Sequence, residues 1–251
     1  MGRGGKIGVT LLVLGVLLGG GLVVADRIAV GVAEDRIGEQ AKKELVARNI
    51  TTTQNPKVHI SGFPFLTQVL HGRYEKITIR VVAPESNGVK FDDINLTAQT
   101  VLADTNSVLK GTGHVTAAQV SGSSALGWDA VRQILEVSGL PGVDLSTIKI
   151  SVTNNVVNLQ LPVEAYGQKV SVLASGTLQI DGGAIKLRLT DVRVDGAANA
   201  SAQRLIDQYK NRLVVDLNVP AMPYKLVINK VATSAAGISI VASADNVLLA
   251  G

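Results

Sequence analysis

Apolar and polar residues alternate with period two along most of the chain, which is the pattern of antiparallel β-strands. The alternation is clearest over residues 169–180 and again over residues 185–189. Asp181-Gly182-Gly183 lies between the two segments and supplies residues that tolerate positive φ, so a hairpin is predicted. Its apolar face consists of Val170, Val172, Ala174, Leu178, Ile180, Ile185, Leu187 and Leu189.

The alternation changes phase near Thr190, because Val192 and Val194 now alternate with Asp191 and Arg193. One extra residue in a strand has this effect, so a β-bulge or bend is predicted there. Other alternating segments predict further strands, which occupy residues 58–60, 77–81, 94–102, 148–152, 156–161, 224–232 and 238–249.

Two helices are predicted between the strands. The first covers residues 125–137 and is capped by Ser123 or Ser124; the second begins at Asn199 or Ser201 and runs to residue 209. The sequence therefore predicts an α+β fold, with an elongated, highly curved antiparallel sheet or barrel and a few packed helices.

The N-terminal pattern is different, because residues 7–25 contain no charged side chain and follow Arg3 and Lys6. As a helix this run would span roughly 28 Å, enough to cross a bilayer once. The basic residues would stay in the cytoplasm, so a transmembrane anchor is predicted. Small residues at its end also suit a cleaved signal peptide. Either alternative places residues 26–251, predicted to be one domain, in the cell envelope.

An amphipathic helix is predicted to leave the membrane over residues 27–48, because apolar residues recur there mostly at four-residue steps among charged ones. Its apolar stripe is Ile28, Val32, Ile37, Ala41 and Leu45.

Composition narrows the function. The chain has no cysteine, and 46% of its residues are hydrophobic but only 3% are aromatic, so the interior is built from aliphatic side chains. Such walls suit a lipid, although an aromatic-poor sheet protein would have the same composition. The net charge is +4, and two basic residues, Arg3 and Lys6, precede the apolar run. Without clustered positive charge, nucleic acid is excluded as a partner.

The sequence offers no arrangement typical of catalysis. The three histidines, His59, His71 and His114, do not have the spacing of a zinc pair, and the serines near Gly122 have the wrong spacing for a nucleophile elbow. Asp92-Asp93 is interpreted as solvent-facing. We therefore predict a protein that is not an enzyme, with no catalytic residue, metal or cofactor.

A short apolar segment, Gly62-Phe63-Pro64-Phe65-Leu66, lies between two predicted strands. Its proline cannot donate a ladder hydrogen bond, so the segment is expected to leave the sheet or to lie at its edge. Two interpretations stay open: it closes the end of the core, or it forms a lipid-facing tip.

The order of these parts resembles the actinobacterial LmeA-like phospholipid-binding family. The resemblance rests on residues 58–68, VHISGFPFLTQ, followed by Gly72, strand 77–81 and, near the end, residues 217–220, LNVP, before a final hairpin. It covers nearly everything after residue 26. The resemblance implies a tubular lipid-binding barrel in the cell envelope that binds a phospholipid such as phosphatidylinositol. It also implies a link to the maturation of lipomannan and lipoarabinomannan.

We therefore predict non-enzymatic binding or transfer of phospholipid at the cytoplasmic membrane. Arg73, Lys76 and Arg80 are suggested as headgroup contacts. The alternative is an envelope scaffold that binds a glycosyltransferase through a sheet edge or an apolar patch; a hydrolase with a dispersed site is a third. The predicted lipid contacts are Phe63, Phe65, Leu66, Ile77, Ile79, Leu96, Val170, Val172, Leu178, Ile180, Ile185, Leu187 and Leu189.

Overall fold

The computed structural model describes the backbone of residues 3–86, 88–103, 114–138, 147–165, 168–195, 214–217 and 225–250. Side chains are described from residue 20 onward, except at 134–138, 163–165, 168–170, 195, 214–217 and 250. The helix predicted to begin at Asn199 or Ser201 lies outside the described residues.

The described elements are three helices and fourteen strands. The helices are α1 (Arg3–Ala47), α2 (Phe65–His71) and α3 (Trp128–Ser138). The strands are β1 (Ile50–Thr51), β2 (Lys57–Ser61), β3 (Arg73–Val81), β4 (Glu85–Ser86), β5 (Val89–Lys90), β6 (Ile94–Ala103), β7 (Val115–Gly127), β8 (Lys149–Thr153), β9 (Val156–Ala165), β10 (Gln168–Asp181), β11 (Ala184–Asp195), β12 (Val214–Leu217), β13 (Val227–Thr233) and β14 (Gly237–Ala250).

The strands form three antiparallel sheets. The largest has the order β13-β14-β7-β6-β3-β2, the second has the order β12-β11-β10-β9-β8, and the smallest has the order β1-β4-β5. The predicted α+β fold of antiparallel strands with few helices is confirmed. The alternative of a closed barrel is not found in the described part of the chain, since each sheet ends at two different strands.

Helix α1 is continuous through the apolar run and the amphipathic segment. It approaches the largest sheet at Gly38, where an added Cβ would lie 2.8 Å from the Pro56 carbonyl oxygen. Most of the predicted membrane span lies before residue 20, outside the described side chains, and stays a prediction. Among the side chains that are described, no helix is both long enough and apolar enough to cross a membrane.

The face that α1 buries differs from the apolar stripe of residues 27–48. Val30 is buried and Ile37 is half-buried, and both pack against Ile60 of β2 and its neighbours. Ile28 and Val32 are 63% and 49% exposed, so this part of the apolar stripe does not pack against the sheet. The four-residue steps identified a helix but left open which of two adjacent stripes faces the sheet.

The main core joins the two larger sheets. Val157, Ile185 and Leu187 from the five-stranded sheet are in one cluster with Ile238 and Ile240 from the six-stranded sheet. Ala130 and Val131 of α3 complete this cluster. Period-two alternation therefore directs the aliphatic face of both sheets to the same interior.

The predicted irregularity near Thr190 is confirmed. Ser175 pairs with Asp191 while Gly176 pairs with Leu189, so Thr190 is the extra residue of a β-bulge. An added Cβ at Gly176 would lie 2.4 Å from the Arg188 carbonyl oxygen, which shows how closely the two backbones approach there.

The predicted start of α3 is wrong. Ser123 and Ser124 are not helix caps but lie within β7, which continues to Gly127. They pair with Val241 and Ile240 of β14. Pairing on both edges of β7 outweighs the weak strand preference of its Gly and Ser residues.

Candidate lipid-binding surface

Two adjacent rows of aliphatic residues cross the inner face of the six-stranded sheet, which is the face directed towards the core. Backbone pairing aligns the first row over all six strands and the second over five of them. The first row is Val58, Ile79, Leu96, Gly122, Ala242 and Ile228. The second row is Ile60, Ile77, Ala98, Val120 and Ala244.

At the middle of the first row, side chains meet over Gly122. An added Cβ at Gly122 would lie 3.0 Å from Cδ2 of Leu96 and 3.4 Å from Cδ1 of Leu226. Leu96, Leu226 and the adjacent Ile79 are all half-buried rather than buried. We call these four residues the Gly122 site. It combines an aliphatic surface with residual access, which is what an acyl chain requires.

The apolar interior is continuous across the described part of the domain. Leu226 packs against both the main core and a second cluster around Val101 and Val120. Tyr74 and Ile77 in turn pack against that second cluster and against the cluster that contains Val30 of α1. An unbroken apolar layer therefore leads from α1 to the five-stranded sheet.

The predicted contacts on the five-stranded sheet differ in how deeply they are buried. Ile185 and Leu187 are only 1% and 4% exposed, so they are part of the closely packed core in this structure. Val172, Leu178 and Leu189 are partly buried and pack against it. Of the remaining two, Ile180 is 36% exposed, and the side chain of Val170 lies outside the described side chains.

The segment around Pro64 combines both interpretations left open by the sequence. Phe65 is buried and packs with its ring centroid 6.2 Å from that of Tyr74, so it closes one end of the core. Phe63 and Leu66 are exposed instead. Pro64 is the residue before α2, which connects β2 to β3 outside the sheet.

Asp26 attaches α2 to α1. Its Oδ1 accepts a hydrogen bond from the Leu66 backbone N–H at 2.8 Å, and its Oδ2 accepts one from Arg27 at 2.8 Å. Burial of this carboxyl raises its pKa, but hydrogen bonds from the Leu66 and Phe65 backbone and from Arg27 outweigh that effect. The pKa of Asp26 therefore lies below its usual value, and the carboxylate form is favoured.

Two of the three basic residues suggested for the headgroup, Lys76 and Arg80, are not beside the aliphatic rows. Lys76 and Arg80 alternate with Ile77 and Ile79 along β3 and so lie on the opposite face of the sheet. The Nε and Nη2 atoms of Arg80 both donate hydrogen bonds to Oδ2 of Asp93, at 2.8 and 2.5 Å. That pairing lowers the pKa of Asp93. Arg80 is therefore already engaged within the protein.

A cavity of about 470 Å³ with a mixed polar and apolar lining lies on the outer side of the same sheet. Its lining includes Asp92, Asn95, Ser123 and Ser239, with Phe91 at one side. Among the residues that the structure describes, no group of three or more His, Asp or Glu side chains could hold a metal ion.

Several residues of this surface were not predicted as lipid contacts. Gly122 was considered only for the spacing of the serines beside it, and Leu226 was included only as part of a strand that begins at residue 224. Leu226 could have been recognised by its place in the alternation of the last hairpin. The hydrogen bond between Asp26 and the Leu66 N–H joins residues 40 apart, so local sequence carries no signal for it.

Comparison with known proteins adds one finding. A family model described as LmeA-like phospholipid-binding matches residues 24–243. No curated protein and no solved structure gives a significant match.

Proposed function

Because the chain belongs to the LmeA-like phospholipid-binding family, we propose that it holds the acyl chains of a phospholipid against the inner face of its six-stranded sheet. The apolar layer that joins α1 to the five-stranded sheet carries this proposal. The Gly122 site lies on this layer, and its leucine tips are the surface that hydrocarbon would contact.

The energetics favour acyl chains as the main source of affinity. Burial of hydrocarbon contributes about 0.8 kcal/mol per methylene, so a dozen buried methylenes would supply roughly 10 kcal/mol before the cost of association. The two rows of the inner face contain no charged residue. Binding at this surface needs no bond to be made or broken, in keeping with a binding protein rather than an enzyme.

The proposal includes a location and a lipid. The apolar run before Asp26 would anchor the domain to the outer face of the cytoplasmic membrane, or would direct its export. Phosphatidylinositol is the proposed ligand, on the resemblance alone. The role in lipoglycan maturation, the glycosyltransferase partner and the scaffold alternative stay predictions.

Native mass spectrometry of the full chain tests this function. We expect the purified protein to carry phospholipid that exchanges with added phosphatidylinositol or phosphatidylglycerol of matched acyl chains. Preference for the inositol lipid would support the proposed ligand, and equal exchange would contradict only that part. A folded protein with neither bound nor exchangeable phospholipid would overturn the function.

A further inference from the structure

An exposed apolar patch surrounds the start of α2. Phe63, Leu66 and Leu70 are 60%, 37% and 84% exposed, and we call these three residues the α2 patch. Leu66 and Leu70 are four residues apart, so they lie on one side of the short helix. Within the described structure, Leu70 is the most exposed of the large hydrophobic side chains.

The position of the patch is fixed relative to α1. Asp26 accepts the Leu66 N–H, and the guanidinium of the next residue, Arg27, lies 5.0 Å from the ring centroid of Phe63. Asp26 also comes directly after the uncharged run that ends at residue 25. Successive helical residues rise 1.5 Å, so the anchoring point of α2 is about 1.5 Å beyond that run.

The end of α1 before Asp26 is also exposed and apolar. Leu22, Val23 and Val24 are 67%, 46% and 59% exposed, and they lie two to four residues before Asp26. The α2 patch therefore continues an apolar surface that the run itself begins. Arg27 adds a cation at the junction, with half of its side chain exposed.

We propose that the α2 patch inserts into the interfacial region of the bilayer from which α1 emerges. This inference rests on the proposed membrane position of the run before Asp26. The polar layer on each side of a bilayer is roughly 5–8 Å thick, so Asp26, where the patch is attached through the Leu66 N–H, lies within its depth. Arg27 then lies at headgroup depth, where its pairing with Asp26 leaves the junction without a net charge.

The insertion also determines where one end of the apolar layer lies. Phe65, beside the patch, belongs to the cluster that also contains Val30 and Ile60. This cluster is the α1 end of the apolar layer. A patch inserted in the interface therefore brings that end, which Phe65 closes, to the bilayer surface.

The absence of cysteine allows a direct test with single labels. Leu70→Cys carries an environment-sensitive NBD fluorophore in the full chain, reconstituted in vesicles of phosphatidylcholine and phosphatidylglycerol. Lys230→Cys, on the exposed edge strand β13, is the matched control. We expect a blue-shifted emission at position 70, quenched by lipids with a doxyl group near the headgroup. The label at position 230 keeps the emission of an aqueous probe.

Equal emission at the two positions would overturn the inference. A blue shift at position 70 without quenching by doxyl lipid would also contradict it, because protein and not bilayer would then cover the patch. Leu66→Cys provides a second labelled position if the first variant folds poorly. Native mass spectrometry of the same samples measures lipid occupancy and so separates insertion from lipid binding. If the protein carries lipid but the label at position 70 emits as in water, only insertion is contradicted. If the protein carries no lipid but the label is quenched by doxyl lipid, only lipid binding is contradicted.

Discussion

Enlarging Gly122 tests whether acyl chains occupy the inner face. A Cβ at this position would lie 3.0 Å from Leu96 and 3.4 Å from Leu226, and the nearby atoms are the ends of flexible side chains. Gly122→Leu should therefore fold with the tips of both leucines displaced away from the sheet. They would occupy the space that the proposed ligand uses.

The size of the effect follows from the added volume. A leucine side chain has four carbons, and each displaced methylene of the ligand forfeits about 0.8 kcal/mol. The loss is therefore about 3 kcal/mol, or roughly two orders of magnitude in affinity. Gly122→Ala adds one carbon and should weaken binding only about four-fold, so the series is graded.

The assay is titration of the full chain with a fluorescent phospholipid, with folding monitored by circular dichroism. Ser121→Leu is the matched control. The new leucine adds similar volume to the same strand, but it lies on the outer face of the sheet and not on the face of Gly122. We expect the control to retain wild-type affinity. If folded Gly122→Leu binds as tightly as Ser121→Leu, acyl chains do not lie over Gly122 and the reasoning is wrong.

Three further changes test the structure. Asp26→Asn should lower the melting temperature at pH 7. Because the pKa of Asp26 in the folded protein is depressed below 3.8, the carboxylate stabilises the fold above about pH 3.8, and this stabilisation is lost as pH falls through the folded pKa. The difference in melting temperature between variant and wild type should therefore shrink in acid. A difference independent of pH would contradict this. Ile185→Ala should cost about 2–5 kcal/mol of unfolding free energy in urea, whereas Ile180→Ala, at its exposed cross-strand partner, should cost much less. Arg80→Ala should leave phospholipid affinity unchanged, because Arg80 binds Asp93 on the outer face; a ten-fold loss would show that it contacts the headgroup.

The sequence predicted those elements whose determinants are local. The hairpin of β10 and β11 has Gly182 and Gly183 at positive φ, where the Asp-Gly-Gly turn was expected. A bulge or bend near Thr190 was predicted because the alternation changes phase there, and the structure has a bulge. In both cases a few neighbouring residues determine the backbone.

Features that depend on distant pairing were not predicted. Residues 121–127 contain Gly and Ser and have little intrinsic strand preference, yet they lie in β7 because β6 and β14 pair with them on both sides. The face buried by α1 depends on where β2 lies. Likewise, the sequence shows Asp26 only as the first charged residue after an apolar run. The fold shows that it accepts a hydrogen bond from the Leu66 N–H.

The arrangement also explains why the sequence indicated the class of ligand better than its contacts. Aliphatic alternation marks both the side chains that form a solid core and those that a lipid would contact. Ile185 and Ile79 have the same signature, but the first is 1% exposed and the second is half-buried. The difference in exposure arises from how closely other elements pack over each strand. Surface left accessible after the sheets pack, as at the Gly122 site, is therefore a better guide to a lipid site than hydrophobicity along a strand.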